Sequence, residues 1–146
     1  MERPMTLEHM AGHLIRRLHQ RSAQVFQRRV QAAGLDLTQV QFAALTAVQS
    51  DPGMDQAGVA AAIGYDRATI GGVIDRLEQK GYVTRTVSPT DRRARQVRLT
   101  KDGAAAIIAA TPLVRDLQRK ILEALDPPEQ ARFEALARKA LGLTGG

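Results

Sequence analysis

Apolar residues recur at helical spacing along most of the chain, broken by short polar or glycine-marked stretches. Leu7, Met10, Leu14, Leu18, Val25 and Val30 trace one stripe, with Ile15 and Phe26 beside it. That spacing predicts a long helix from Thr6, its cap, to about Ala33, just before Gly34. Met1 to Met5 reads as a loose tail. Thr38 is placed as N-cap of a second helix, whose apolar positions are Val40, Phe42, Leu45 and Val48. Asp51-Pro52-Gly53 is a turn. Past Thr100 the helical period returns. Ala105, Ile108, Leu117, Ile121, Leu122 and Leu125 mark a helix starting at Thr100 or Asp102, with a kink expected near Ala109 to Pro112. Asp126-Pro127-Pro128-Glu129 is a capping arrangement, with Asp at N-cap, Pro at N1 and Glu at N3. Phe133, Leu136, Ala137, Ala140 and Leu141 then complete a last amphipathic helix, and Gly142 to Gly146 frays.

The middle of the chain, Met54 to Thr100, is the most specific part. Ala60, Gly64 and Ile70 stand at helix-turn-helix spacing. The alanine lets two helices cross closely, the glycine takes the positive φ that ends the first helix, and the isoleucine packs into the crossing. Asp55 is the expected N-cap of the first helix, with Val59 and Ile63 on its buried face. Asp66 is the expected N-cap of the second. There Ile70, Val73, Ile74 and Leu77 face inward, which leaves Arg67, Thr69, Gly72 and Arg76 on the open side.

The period then changes from helical to alternating. Gly81 ends the second helix, with Lys80 in its last turn. Tyr82–Val87 and Gln96–Thr100 read as two strands joined by a polar connection from Ser88 to Arg95. Arg85 to Arg98 holds five arginines and one acid. An isolated run of this kind is a solvated loop. Directly after a helix-turn-helix, it reads as a wing aimed at a DNA backbone or minor groove, where negative potential concentrates.

Composition agrees with a helical DNA-binding domain. The chain has 146 residues, three Phe, two Tyr and no Trp, and its formal net charge is +6. A basic surplus favours a polyanionic partner, and its clustering in the wing points to nucleic acid. The absence of cysteine removes disulfides, thiol redox sensing and cysteine zinc sites. No apolar run approaches the roughly 20 residues that span a bilayer, and the N-terminus lacks a signal-peptide core, so a cytoplasmic protein is expected.

These residues carry a resemblance. The Asp91-x-Arg93…Leu99-Thr100 wing, the Asp75-Arg76-Leu77-Glu78-x-x-Gly81 helix end and the Asp66-Arg67-x-Thr69 start resemble the MarR family of winged-helix transcriptional regulators. The resemblance covers nearly the whole chain. It implies a mainly α fold in one domain, with a winged-helix lobe over 38–100 and dimerisation helices over 6–33 and 101–142. It further implies that the second helix enters the major groove, that Arg93 reaches the adjacent minor groove, and that Asp91 orients it. Arg67 and Thr69 are then the expected base or phosphate contacts, and Arg76, Arg92 and Arg95 the phosphate contacts. Two copies would read the half-sites of a palindromic operator about one helical turn apart. The apolar terminal helices suit a homodimer; the alternative is a self-contained helical core. One departure stands out. Where the family often carries polar or basic side chains, this chain has Gly71-Gly72, which either allows close backbone approach to DNA or relieves crowding. Each glycine costs about 1 kcal/mol of helix propensity.

Many members of the family release DNA when a small aromatic molecule binds. On the predicted first helix His9, His13 and Arg17 form one row, able to hold a carboxylate through charge-assisted hydrogen bonds. The alternatives are a solvated basic face, or a metal held by His9 and His13 at i, i+4 spacing, for which no Cys or acidic pair completes the set. Gly12-His13-Leu14-Ile15-Arg16-Arg17 is similar to regulators of aromatic-acid catabolism, including repressors of nicotinate degradation. The expected effector is therefore an aromatic carboxylate such as a hydroxynicotinate or benzoate. No cofactor and no enzymatic activity are expected, since the chain lacks a Cys nucleophile, a Walker loop and a metalloprotease His cluster. The remaining rival is a winged helix used for protein or RNA contact, which would show an apolar patch on the exposed face of its second helix.

Overall fold

The computed structural model describes residues 2–143. The expected fraying of Gly142 to Gly146 falls largely outside these residues, as does Met1 of the expected tail. A 3-10 turn, Leu7–His9, precedes α1 (Ala11–Ala32). There follow α2 (Gln39–Ser50), α3 (Gln56–Ile63), α4 (Ile70–Gln79), β1 (Val83–Val87), β2 (Arg95–Leu99), α5 (Lys101–Ile121) and α6 (Pro127–Ala140). The chain divides into two compact units. One is Phe26–Leu113; the other joins the residues up to Val25 with those from Val114 onward.

The Phe26–Leu113 unit is a winged helix. Its core holds Phe26, Val30, Leu45, Val48, Val59, Ala60, Ile70, Ile74, Leu77, Val83 and Val97, all buried. Phe26 and Phe42 meet as tilted rings with centroids 6.4 Å apart. Thr38 caps α2 by accepting from the Gln41 N–H at 3.1 Å, while Gln41 Oε1 accepts from the Thr38 N–H at 3.2 Å. Buried Gln41 also accepts from Lys80 Nζ at 2.9 Å, and Lys80 donates to the Asp36 carbonyl at 2.8 Å. One ammonium therefore ties the end of α4 to the start of α2.

β1 and β2 form an antiparallel hairpin with Arg85 opposite Val97. The hairpin is docked by a further bridge, Asp55 to Gln96, with Gly53 N–H to Val97 O at 3.1 Å and Val97 N–H to Met54 O at 2.9 Å. At its base the Tyr82 carbonyl accepts from the Thr100 N–H at 3.0 Å. A Cβ on Gly103 would collide with that same carbonyl, so only glycine lets α5 start this close to the strand.

Within the other unit, Arg21 closes the end of α5. Its Nε donates to the Ile121 carbonyl at 2.9 Å and its Nη2 lies 3.3 Å from Glu123. Asp126 and Glu129 form the expected capping box of α6. Leu117 is buried. Leu14, Ile15, Phe133, Leu136 and Leu141 are left exposed, Leu141 at 72%.

Several boundaries differ from expectation. The first long helix begins at Ala11 rather than Thr6, because Thr6 makes no capping bond to the backbone and Met10 is extended at φ −104°, ψ 116°. The Met10 carbonyl accepts the first bond of α1, from Leu14. α4 begins at Ile70 rather than after Asp66. The Asp66 side chain accepts from the Ala68 N–H at 3.2 Å, two residues on, which makes a turn instead of a helix cap. Arg95 lies in β2, not in the connection, and Leu122 and Leu125 lie in the turn after α5. α5 runs through Pro112 as one helix.

Candidate nucleic-acid interface

The helix-turn-helix is built as its residues require. Asp55 caps α3 by accepting from the Gly58 N–H at 2.7 Å. Gly64 ends α3 at φ 68°, ψ 38°, where a β-carbon would be strained, and Ala60 beneath the turn is fully buried. Ile70, Ile74 and Leu77 bury one face of α4. The opposite face is exposed and carries Thr69, Gly72 and Arg76.

Arg67 is exposed in the turn before α4, not on the helix itself. Thr69 stands at the N-cap without capping: its Oγ1 donates to the Asp66 carbonyl at 3.2 Å. Arg76 lies two turns along α4. Thr69, Gly72 and Arg76 share a shallow groove of about 300 Å³ with Thr38, Gln41 and Tyr65.

The wing tip is shaped by its own side chains. Ser88 Oγ accepts from the Asp91 N–H at 3.3 Å, and Asp91 Oδ1 accepts from the Arg93 N–H at 3.0 Å. Asp91 therefore fixes the backbone of Arg93 and leaves its guanidinium exposed. Arg95 Nη1 donates to the Arg92 carbonyl at 3.2 Å. A second groove, of about 390 Å³, lies between the wing and the two helices. It brings Arg67 together with Asp91, Arg93 and Arg95, and Asp55 and Ile70 also line it. Arg92 is exposed and lines neither groove.

The sequence reading missed Arg85. Its Nη2 lies 2.6 Å from Asp75 and 3.0 Å from Glu78, and its Nη1 donates to Gln56 at 2.9 Å. The guanidinium thus ties β1 to both α4 and α3. Hydrogen bonding to Glu78 foremost, and then to Asp75, raises the Arg85 pKa above its ordinary value. The same bond from Arg85 lowers that of Glu78. A lone arginine among five gave no signal of this; only the fold brings its partners together.

The proposed effector row is not one row. His9 lies in the 3-10 turn, with its Nδ1 2.6 Å from Thr6 Oγ1, because the extended Met10 separates it from α1. His13, half-buried, and Arg17, exposed, remain four residues apart on α1. Arg17 lines an open groove of about 510 Å³ with Leu14, Leu18, Gln20, Arg21 and Gln24, which neither histidine joins. Among the described residues no group of three or more His, Cys, Asp or Glu could hold a metal, and no helix is long and apolar enough to cross a membrane.

Comparison with known proteins places this geometry. The model of the MarR family matches residues 35–94. The transcriptional repressor NicR of Pseudomonas putida is 33% identical over 138 residues, covering 94% of this chain and 86% of that protein. Bordetella bronchiseptica BpsR, whose DNA binding is regulated by 6-hydroxynicotinic acid, superposes with a TM-score of 0.84 at 31% identity, covering 94% of this chain and 97% of that one. PcaV of Streptomyces coelicolor, solved with its natural ligand, gives a TM-score of 0.82 at 30% identity over 99% and 100% of the two chains. The capped α3, the glycine turn, the exposed face of α4 and the arginine-bearing wing are those of a DNA-binding regulator, and the chain belongs to the MarR family.

Proposed function

We propose that this chain is a sequence-specific transcriptional repressor that binds a palindromic operator as a homodimer and is released by a small aromatic carboxylate. One observation carries the DNA-binding reading: Arg67, Arg93 and Arg95 line a single groove between the start of α4 and the wing. Cations gathered there suit a phosphate backbone passing between a helix in the major groove and a wing in the minor groove. In this reading Arg67 and Thr69 contact bases or phosphates, and Arg76, Arg92 and Arg95 contact phosphates. Arg93 enters the minor groove, presented by Asp91. The winged-helix lobe spans 38–100. The exposed Phe133, Leu136 and Leu141, with Leu14 and Ile15, supply the apolar surface that a second copy would cover.

The likeness to NicR and BpsR supports a hydroxynicotinate or a related aromatic acid as effector. His13 and Arg17 are its proposed ligands on α1; His9, engaged with Thr6, contributes less directly. Effector and operator then oppose each other by one coupling free energy. The rival reading, a protein- or RNA-contact module, is disfavoured by the exposed residues Arg67, Thr69, Gly72 and Arg76, which form no apolar patch.

The test is an anisotropy titration of labelled DNA from the protein's own upstream region, with and without a panel of hydroxynicotinates and benzoates. Tight, salt-sensitive binding that one acid abolishes is expected. Tight binding that no acid disturbs would remove the effector and keep the regulator. Weak binding, equal on scrambled DNA, would favour the contact-module reading.

A further inference from the structure

The first part of the exposed face of α4 has almost nothing to hydrogen-bond with. From Ala68 to Ile74 every side chain is apolar or absent except Thr69, whose hydroxyl proton is engaged by the Asp66 carbonyl. The first free polar groups on either side are Arg67, before the helix, and Arg76, near its end. Asp75 is paired with Arg85. Direct reading of bases by paired hydrogen bonds, the usual work of a recognition helix, has no groups to perform it in this stretch.

Gly71 and Gly72 occupy its centre. Each weakens the helix, so a compensating role is expected. Crowding within this unit is not that role. A Cβ on Gly72 would meet nothing within 4 Å, and one on Gly71 would meet only Gln56 Nε2, at an ordinary 3.8 Å. Gly72 is itself exposed, flanked on its face by Thr69 and Arg76. The surface is a bare strip of backbone with a threonine and an alanine at one end.

We infer that this strip reads thymine, by close approach of the α4 backbone to thymine 5-methyl groups in the major groove, with Ala68, Thr69 and Gly72 as the specificity-determining positions. The methyl is the one apolar feature on a base-pair edge in that groove, and alanine and threonine methyls are its usual partners. A glycine at the contact lets the helix axis come nearer by the depth of a side chain. Arg67 and Arg76, at the two ends, hold the strip against the backbone but carry no preference for thymine.

This inference rests on the DNA-binding reading above. The test begins by selecting the preferred duplex from a random pool with the full-length wild-type protein. Each thymine of the selected half-site is then replaced by deoxyuridine, which removes only the methyl. Affinity is expected to fall about fourfold at each methyl the strip contacts. Gly72→Gln is measured beside it. Open space around Gly72 keeps this variant folded, with a thermal midpoint equal to or above wild type. Its affinity for the selected site is expected to fall about tenfold with the salt slope unchanged, and its sensitivity to deoxyuridine to disappear. Selected sites whose binding ignores every deoxyuridine, or a Gly72→Gln protein that binds them as tightly as wild type, would overturn the inference while leaving the regulator intact. A pool that yields no preferred sequence would overturn the regulator reading itself.

Discussion

Arg85 in β1 holds Asp75 of α4 at 2.6 Å, across the join between the wing and the helix beside it. The same guanidinium reaches Glu78 and Gln56, so one side chain sets where the wing stands relative to α3 and α4. With three protein acceptors engaging its guanidinium, Arg85 is expected to act on DNA binding by positioning rather than by touching phosphate. Arg85→Met is expected to lower the thermal midpoint by a few degrees and to weaken operator binding while leaving the salt slope where it was. A drop in slope would mean that Arg85 itself meets the DNA.

Arg93 gives the opposite signature. Exposed and free of acidic partners within the tip, it is expected to release counterions on binding. Arg93→Ala should weaken binding and reduce the salt slope by about one. Asp91→Ala removes the 3.0 Å bond to the Arg93 N–H and should weaken binding with a smaller change in slope, because the charge remains but its presentation loosens. Anisotropy at several salt concentrations separates the two.

The Arg85 network also answers to acid. Hydrogen bonding from Arg85, chiefly, holds the Glu78 carboxyl below its ordinary 4.5, against desolvation and the nearby charge of Asp75. A carboxyl depressed in the folded state contributes its stability in full above the unfolded pKa. That contribution is lost as pH falls through the folded value. Glu78→Gln should therefore flatten the decline of thermal midpoint below about pH 4.5, with the difference from wild type vanishing at the acid end. An equal difference at every pH would show that the pair does not depend on ionisation.

Gly103→Ala tests the joint between hairpin and α5. The added methyl would strike the Tyr82 carbonyl, which already accepts from Thr100, so backbone must move. A loss of about 1–3 kcal/mol is expected in urea unfolding, although alanine is the better helix former. A stabilised variant would show that the joint yields cheaply.

Leu136→Glu places a charge on the exposed apolar face of α6. Sedimentation should shift it from dimer towards monomer at concentrations where wild type stays paired. A variant that remains dimeric would place the subunit contact elsewhere.

How much of this was legible beforehand depended on whether the determining contact was local. Asp55, Gly64 and Asp126 were readable because cap and turn geometry is settled within four residues. Thr38-x-x-Gln41 carries the same kind of signature, and its glutamine could have been found by the pattern alone. Thr6 and Asp66 look like the successful caps but are not. Each side chain has a competing partner nearby, the His9 ring for one and the Ala68 N–H for the other, and spacing does not rank the options. The Arg85 cluster, the Asp55 to Gln96 bridge and the tight seat of Gly103 were out of reach, because each depends on residues brought together by the fold. Of the interface, the residue types were legible. Their division between two grooves was not, nor was the separation of His9 from the helix that carries His13.

Gln41 closes one capping box and accepts from Lys80 with the same oxygen; the Asp36 backbone carbonyl also accepts from Lys80, and the Asp36 carboxylate lies 3.3 Å from the same ammonium. Of the three only the Asp36 carboxylate can take up a proton, so Lys80 keeps two partners in acid. The join between α2 and α4 thus keeps two uncharged acceptors in acid, whereas two of the three partners of Arg85 at the join between α4 and the wing are carboxylates. On acidification the two should come apart in sequence. The wing would loosen first, and the helical pair beneath it would persist until the core itself gives way.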